Sequence, residues 1–183
     1  MTDPIAIIER VHKEHAAFCD ILEEIADSLP EAVNCDQCAS VLVFLRQELP
    51  QHHKDEEDGL FALLREKARK DGTLIGHLEQ LSWEHSADES TAHEIAETLE
   101  KLACGEKADN PNMLGYMLRS FFEGYRRHLH WENTFLLPLA RRRLSTEEME
   151  MINAVMAENR FAVGANGASC DGNCHACKPK NVT

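Results

Sequence analysis

Apolar residues recur at steps of three and four along five stretches of this chain, the period of a helix that buries one face. The first stretch opens at "TDPI", where Asp3 can cap and Pro4 takes the first helical position without losing a hydrogen bond; it ends at Leu29, before Pro30. After the loop "PEAVNCDQC", a second helix is expected from about Ala39 to Lys70. Pro50 lies inside it and predicts a kink or a fresh start just ahead of His52. A third helix covers Thr73 to Ala103 and closes on Gly105 as a left-handed cap; a fourth runs from the cap Asn110, with Pro111 in first position, to Arg143. Ser145 and Glu148 form a capping box that starts a short fifth helix, fading near Phe161. Four long amphipathic helices with short connections predict an all-α fold, an up-down-up-down four-helix bundle with a short fifth C-terminal helix. The segment "GANGASCDGNCHACKPKNVT" has no periodicity, so the chain divides into a bundle over 1–163 and a Cys-rich tail over 164–183.

The core-facing stripes are interrupted at a few positions only. On the second helix Leu42, Leu45, Leu49, 52, 56, Leu60 and Leu63 are apolar except at His52 and Glu56. The register through His53 and Glu57 leads back through Arg46, so these two are expected on the flank. On the fourth helix Leu114, Leu118, Phe121, Tyr125, 128, 132, Phe135 and Leu139 are broken by His128 and Glu132, while His130 aligns with Arg126 and Arg119 and should be solvated. The first-helix stripe through Ile8, Val11, Phe18, Leu22, Ile25 and Leu29 is broken by His15. His12, one turn earlier, is an alternative, and Val11 and Ile8 favour His15. On the third helix Leu74, Leu78, Leu81, Ala92, Ile95 and Leu99 surround His85. The segments "HHKDEEDGLFALL" and "HLHWENTFLLPLA" repeat the order His, acid, apolar at equal offsets.

A lone histidine on an apolar face is usually a core residue satisfied by a hydrogen bond. Four of them, with two inward glutamates, are a different matter. Each carboxylate buried without a partner costs several kcal/mol, and these stripes hold no Lys or Arg to offset it. Imidazole and carboxylate together suit iron, manganese or zinc, and the set is large enough for two ions.

Charge and composition narrow the partners. A formal net charge of −13 over 183 residues would repel nucleic acid and anionic membranes and attract cations. No apolar run approaches the roughly 20 residues that span a bilayer, and the N-terminus lacks the basic region and small-residue cleavage site of a signal peptide. A cytoplasmic location is expected. Seven cysteines there should be mostly thiols, so their spacing points to metal or redox chemistry before disulfides.

The residues "HHKDEEDGLF" and "HLHWENTFLLP", with "KEH" on the first helix and "WEH" on the third, resemble the hemerythrin-like, or HHE cation-binding, domain over about residues 3 to 161. The resemblance implies a four-helix bundle around a non-haem di-iron centre, with His15, His52, His85 and His128 as terminal ligands and Glu56 and Glu132 as bridging carboxylates. Oxygen-carrying members have a further histidine where this chain has Glu89, and an aspartate five residues after the fourth-helix histidine, where it has Asn133. The four-His, two-Glu set is similar to the branch associated with repair of iron centres and with oxygen and nitric oxide stress.

Cys35 and Cys38 form a C-x-x-C in the first loop, and Cys170, Cys174 and Cys177 a C-x3-C-x2-C in the tail beside His175. Cys35, Cys38, Cys174 and Cys177 could complete a tetrahedral thiolate site for zinc or iron, or cycle as dithiols. Cys19 reads as a small core residue or a neighbour of the centre.

The expected function is therefore a non-haem di-iron protein that binds or reacts with oxygen, nitric oxide or peroxide, in iron-centre repair or iron donation under stress. An iron-sulfur protein or a thiol reductant is the expected macromolecular or redox partner. The alternative is a hemerythrin-like module that senses oxygen or redox state without turnover, and a purely structural bundle is the third reading. The residues alone leave open whether the protein is an enzyme.

Overall fold

The computed structural model describes residues 2–165, with side chains described as far as Arg160. Among them are five helices: α1 (Pro4–Ser28), α2 (35–67), α3 (Gly72–Ala103), α4 (111–143) and α5 (Thr146–Ala165). The first four form an all-α antiparallel bundle in which α1 lies between α4 and α2, and α3 packs on both α2 and α4. No helix among the described residues is long and apolar enough to cross a membrane.

Most helix ends follow from the residues expected there. The Asp3 carboxylate accepts from the Ile5 amide at 2.9 Å, and Asn110 Oδ1 from the Met113 amide at 3.0 Å. Ser145 and Glu148 exchange a capping pair at 2.7 and 3.3 Å. Gly105 adopts φ 81°, the conformation that only glycine takes without strain. The start of α2 differs from expectation. Asn34 Oδ1 accepts from the amides of Asp36 and Gln37 at 2.9 and 3.3 Å, so the helix begins at Cys35 rather than near Ala39. The Cys35–Cys38 pair therefore lies on the first turn of α2, not in a loop.

Helices α2 and α4 run unbroken through their prolines. A π-helical turn over Phe44–Glu48 precedes Pro50, and another over Glu132–Leu136 precedes Pro138. The wider turn accommodates the missing N–H and the ring, so α2 does not restart at Pro50. A third π turn spans Glu56–Phe61. Because each such turn carries an extra residue, the inward register slips by one after it. Beyond Glu56 the buried positions include Leu60, Phe61 and Leu64, with Leu63 only partly covered; beyond Glu132 they include Leu136, Leu137 and Ala140, leaving Phe135 41% exposed. Gly59 sits where α5 crosses α2, and a Cβ there would stand 3.4 Å from the Ile152 side chain.

The interior is stacked in three layers. One apolar cluster holds Cys19, Leu22, Phe44, Leu49, Leu99, Leu118 and Tyr125; the other holds Ile5, Ile8, Leu60, Phe61, Leu78, Leu136 and, from α5, Ile152. Between them lies a polar layer of His12, His15, His52, His53, Glu56, His85, His128 and Glu132, each at most 5% exposed. A buried carboxylate next to this layer anchors α5: Asp55 accepts from Gln51 Nε2 and Asn159 Nδ2, both at 3.0 Å.

Candidate metal centre

Each helix of the bundle brings side chains into the polar layer through its own period. On α1 the inward positions are Ile5, Ile8, His12, His15, Cys19 and Leu22, so two histidines share the stripe while Val11 and Phe18 lie on its flanks. On α2 and α4 the inward pair His52–Glu56 and its counterpart His128–Glu132 are each one turn apart, and both glutamates open a π turn. On α3, His85 follows Leu78 and Leu81.

Five of the six residues singled out above converge with His12. His12, His52, Glu56 and Glu132 offer one set of ligand atoms within 4.8 Å of one another; Glu56, His85, His128 and Glu132 offer a second. The two carboxylates belong to both sets. Within the first, His12 Nε2 and His52 Nε2 stand 3.1 Å apart, and within the second His85 Nε2 and His128 Nε2 stand 3.2 Å apart. Two imidazole nitrogens about 2.1 Å from one ion and roughly at right angles would be ~3 Å apart, so each pair has the spacing of neighbouring ligands. Glu56 Oε1 is 3.3 Å from His12 Nε2 and its Oε2 is 3.3 Å from His52 Nε2; Glu132 Oε2 is 3.3 Å from His128 Nε2 and 3.5 Å from His12 Nε2.

His15, preferred over His12 on the sequence pattern, is buried in the same layer but lies outside both sets. Its Nδ1 lies 2.7 Å from the Tyr125 hydroxyl. His53, expected on the flank, is instead 1% exposed; its ring stacks on His85 at 4.0 Å and its Nδ1 donates to Glu89 at 3.0 Å. Glu89 thus holds His53 and is not a member of either set. His130, His77 and His93 are on the surface.

The outward ring nitrogens are fixed by residues that register alone did not single out for this role. His85 Nδ1 donates to Glu57 at 3.0 Å, His128 Nδ1 to Glu84 at 2.9 Å, and His12 Nδ1 to Asn133 Oδ1 at 2.9 Å. Such bonds set which nitrogen faces the ion and raise its basicity. The available signal was adjacency in sequence, since Glu57, Glu84 and Asn133 each neighbour an inward member of the layer.

Without a cation the centre is electrostatically unbalanced. Glu56 Oε2 and both oxygens of Glu132 are buried with no hydrogen-bond partner. Burial, reinforced by Glu132, pushes the Glu56 carboxyl above the usual range; burial acts the same way on Glu132, but His128 outweighs it and holds that carboxyl low. Burial also opposes the charge on His128, yet Glu132 and Glu84 raise it to about 11. His15 and His52 are driven the other way by burial, His15 to about 3. Orphaned anionic oxygens shared between two pairs of imidazole nitrogens fit divalent ions.

Two clefts reach the layer. One of about 420 Å³ lies between α3 and α4 and is lined by Trp83, Glu84, Asp88, Gly124, His128 and Trp131. One of about 510 Å³ lies between α2 and α3 and is lined by His53, Glu57, Ser82, His85 and Glu89. Burial pushes the Asp88 carboxyl in the first up to about 6.

The cysteines stand apart. Cys35 is exposed, whereas Cys38 is buried, and burial together with Cys35 raises its thiol to about 11. The two therefore face different surroundings one turn apart. Cys19 is a fully buried thiol, raised by burial to about 12, within the upper apolar cluster. Cys170, Cys174, Cys177 and His175 lie outside the described residues.

No curated protein and no solved structure gave a significant match to the chain. The model of the Hemerythrin HHE cation binding domain matches residues 3–140, a span that contains all four bundle helices to the turn after Glu132 and every member of both ligand sets. With a metal-binding layer built from His and Glu in the middle of its bundle, the chain belongs to the hemerythrin HHE cation-binding domain family.

Proposed function

We propose that the layer holds a pair of iron ions, one between His12 and His52 and one between His85 and His128, with Glu56 and Glu132 shared between them. The observation that carries this reading is the pair of buried glutamates whose unpartnered oxygens lie between two imidazole pairs. Bound iron would supply one-electron redox chemistry and a binding position for oxygen, nitric oxide or peroxide. The protein's own residues hold the imidazoles in one orientation through Glu57, Glu84 and Asn133, and surround the ions with apolar clusters on both sides that keep bulk water out. The clefts at His128 and His85 admit small reactants from solvent.

The anionic donor set, with Glu89 turned to His53 instead of a fifth inward histidine, favours the oxidised over the reduced ions. This supports reaction with oxygen, nitric oxide or peroxide, in repair or defence of iron centres under oxidative or nitrosative stress, over reversible oxygen carriage. An iron-sulfur protein or a thiol reductant would return the electrons. Two irons per chain in the purified protein, and one-way oxidation when the reduced protein is mixed with oxygen in a stopped-flow spectrometer, are the expected results. Recovery of the reduced spectrum under vacuum would overturn the reading in favour of carriage, and a metal-free preparation that cannot be loaded would overturn it altogether.

A further inference from the structure

The two ligand sets share their carboxylates, so any difference between them must come from the imidazoles and what stands behind each. On one side both rings are backed by carboxylates: His85 Nδ1 donates to Glu57 and His128 Nδ1 to Glu84. On the other, His12 Nδ1 donates to the neutral amide of Asn133. An imidazole bonded to a carboxylate is a stronger donor and carries part of a negative charge toward the ion. Arg65 shares Glu57 at 3.1 Å and removes part of that effect, but Glu84 has only the neutral Gln80 amide beside it, at 2.9 Å. Behind His52 the neighbouring groups are His15, itself bonded to Tyr125, and the ring of His12. Among the described residues, no carboxylate other than the shared pair bonds to His12 or His52.

Access differs in the same sense. The cleft between α3 and α4 reaches His128 and Glu84, and the one between α2 and α3 reaches His85 and Glu57; neither is lined by His12 or His52. An incoming cation meets Glu84 and Asp88 in the first cleft and Glu57, Asp58 and Glu89 in the second, so the carboxylates outnumber the one cationic side chain in each, Arg127 and Lys54. Attraction and donor strength thus favour the same position.

We propose that the two metal positions are inequivalent, that the His85–His128 position fills first and binds more tightly, and that Glu57 and Glu84 are the positioning residues that make it so. This deepens the dinuclear reading given above and rests on it.

The test is an anaerobic titration of the full chain, stripped of metal by a chelator, with Co(II), followed by visible absorption and calorimetry. Two resolved steps are expected, the first roughly tenfold or more tighter than the second. His128→Ala should remove the tight step and His12→Ala should keep it. The double variant Glu57→Gln with Glu84→Gln should weaken the tight step by about 10- to 100-fold and leave the weak one nearly unchanged, while Asn133→Asp should strengthen the weak one. Two indistinguishable steps, or a tight step that survives His128→Ala and vanishes in His12→Ala, would overturn the order of filling. Equal weakening of both steps by the double variant, with a lower melting temperature of the metal-free form, would reduce Glu57 and Glu84 to structural roles and overturn their assignment. Fewer than two ions bound by the unmodified chain would refute the dinuclear reading itself, a result distinct from each of these.

Discussion

At the scale of single residues, two histidines on one helix face compete for one place. His12 and His15 are three positions apart on α1 and equally buried, so hydrophobic period cannot separate them; the distances between ligand atoms do, because His12 falls within one set and His15 within neither. His12→Ala is expected to cut bound metal to one ion per chain or fewer, and His15→Ala to retain two, as measured by elemental analysis. The converse pattern would restore His15 as the ligand. The glutamates set function against stability. Replacing Glu56 with Gln removes a buried charge that has no partner on one oxygen, so the metal-free form should gain about 1–3 kcal/mol while the capacity to hold metal falls. Chemical denaturation with and without chelator measures both; a metal-free form weakened by the change would show that the carboxylate is satisfied without a cation.

At the scale of elements, the π turns matter more than any helix boundary. Both shared glutamates open such a turn, and the slip of register behind each explains why Leu64 and Ala140 are buried where a straight helix would bury Leu63 and Leu139. A hydrophobic stripe read at 3.6 residues per turn therefore holds on α4 up to Glu132 and fails just beyond it, while on α2 it also fails ahead of Glu56, where Val41 is buried in place of Leu42 and His53 is buried beside His52. The α2 start was missed for a different reason, since Asn34 competes for amides that a loop would leave to water. Helix α5 rests on the metal-bearing stretch of α2 through Gly59 and Asp55. Asn159→Ala would leave the buried Asp55 carboxylate short of a donor and is expected to cost about 1–3 kcal/mol by urea denaturation. Gly59→Leu should be worse, because its side chain would have to displace Ile152 and Val155. Stability unchanged in both variants would show that α5 is not clamped to α2 by these contacts.

At the scale of the whole molecule, metal and protons bind the same centre and their linkage has a definite sign. In the metal-free form the pairing of His128 with Glu132 and Glu84, which outweighs burial, raises the imidazole from its ordinary 6.5 to about 11. That contribution to stability is complete below the unfolded value and is lost progressively as pH rises toward the folded one. Metal binding runs the opposite way, because it needs the ring unprotonated and strengthens as pH rises. Loading should therefore release protons, detectable with an indicator dye in weak buffer, and the gap in melting temperature between loaded and stripped protein should widen between pH 6 and 9. A gap that narrowed over this range would mean that His128 is not displaced from its carboxylates by the ion.

What could be read from order and periodicity alone was the set of four inward-facing helices, the caps at Asp3, Asn110 and Ser145, and the repeated His–Glu pairs on α2 and α4, because these depend on contacts within a few residues along the chain. The cation-binding character was legible too, since two carboxylates in apolar stripes require a counter-charge wherever the helices meet. Contacts between helices decided the rest. The bonds that His12 and His15 make through Nδ1 are to Asn133 and Tyr125, residues of α4 more than a hundred positions away. The burial of His53 depends on a stack with His85 of α3, and the role of Glu84 on His128 of α4. A helix period tells which side of a cylinder a residue occupies, but the direction in which its ring nitrogens point is set by the partner that reaches them across the bundle.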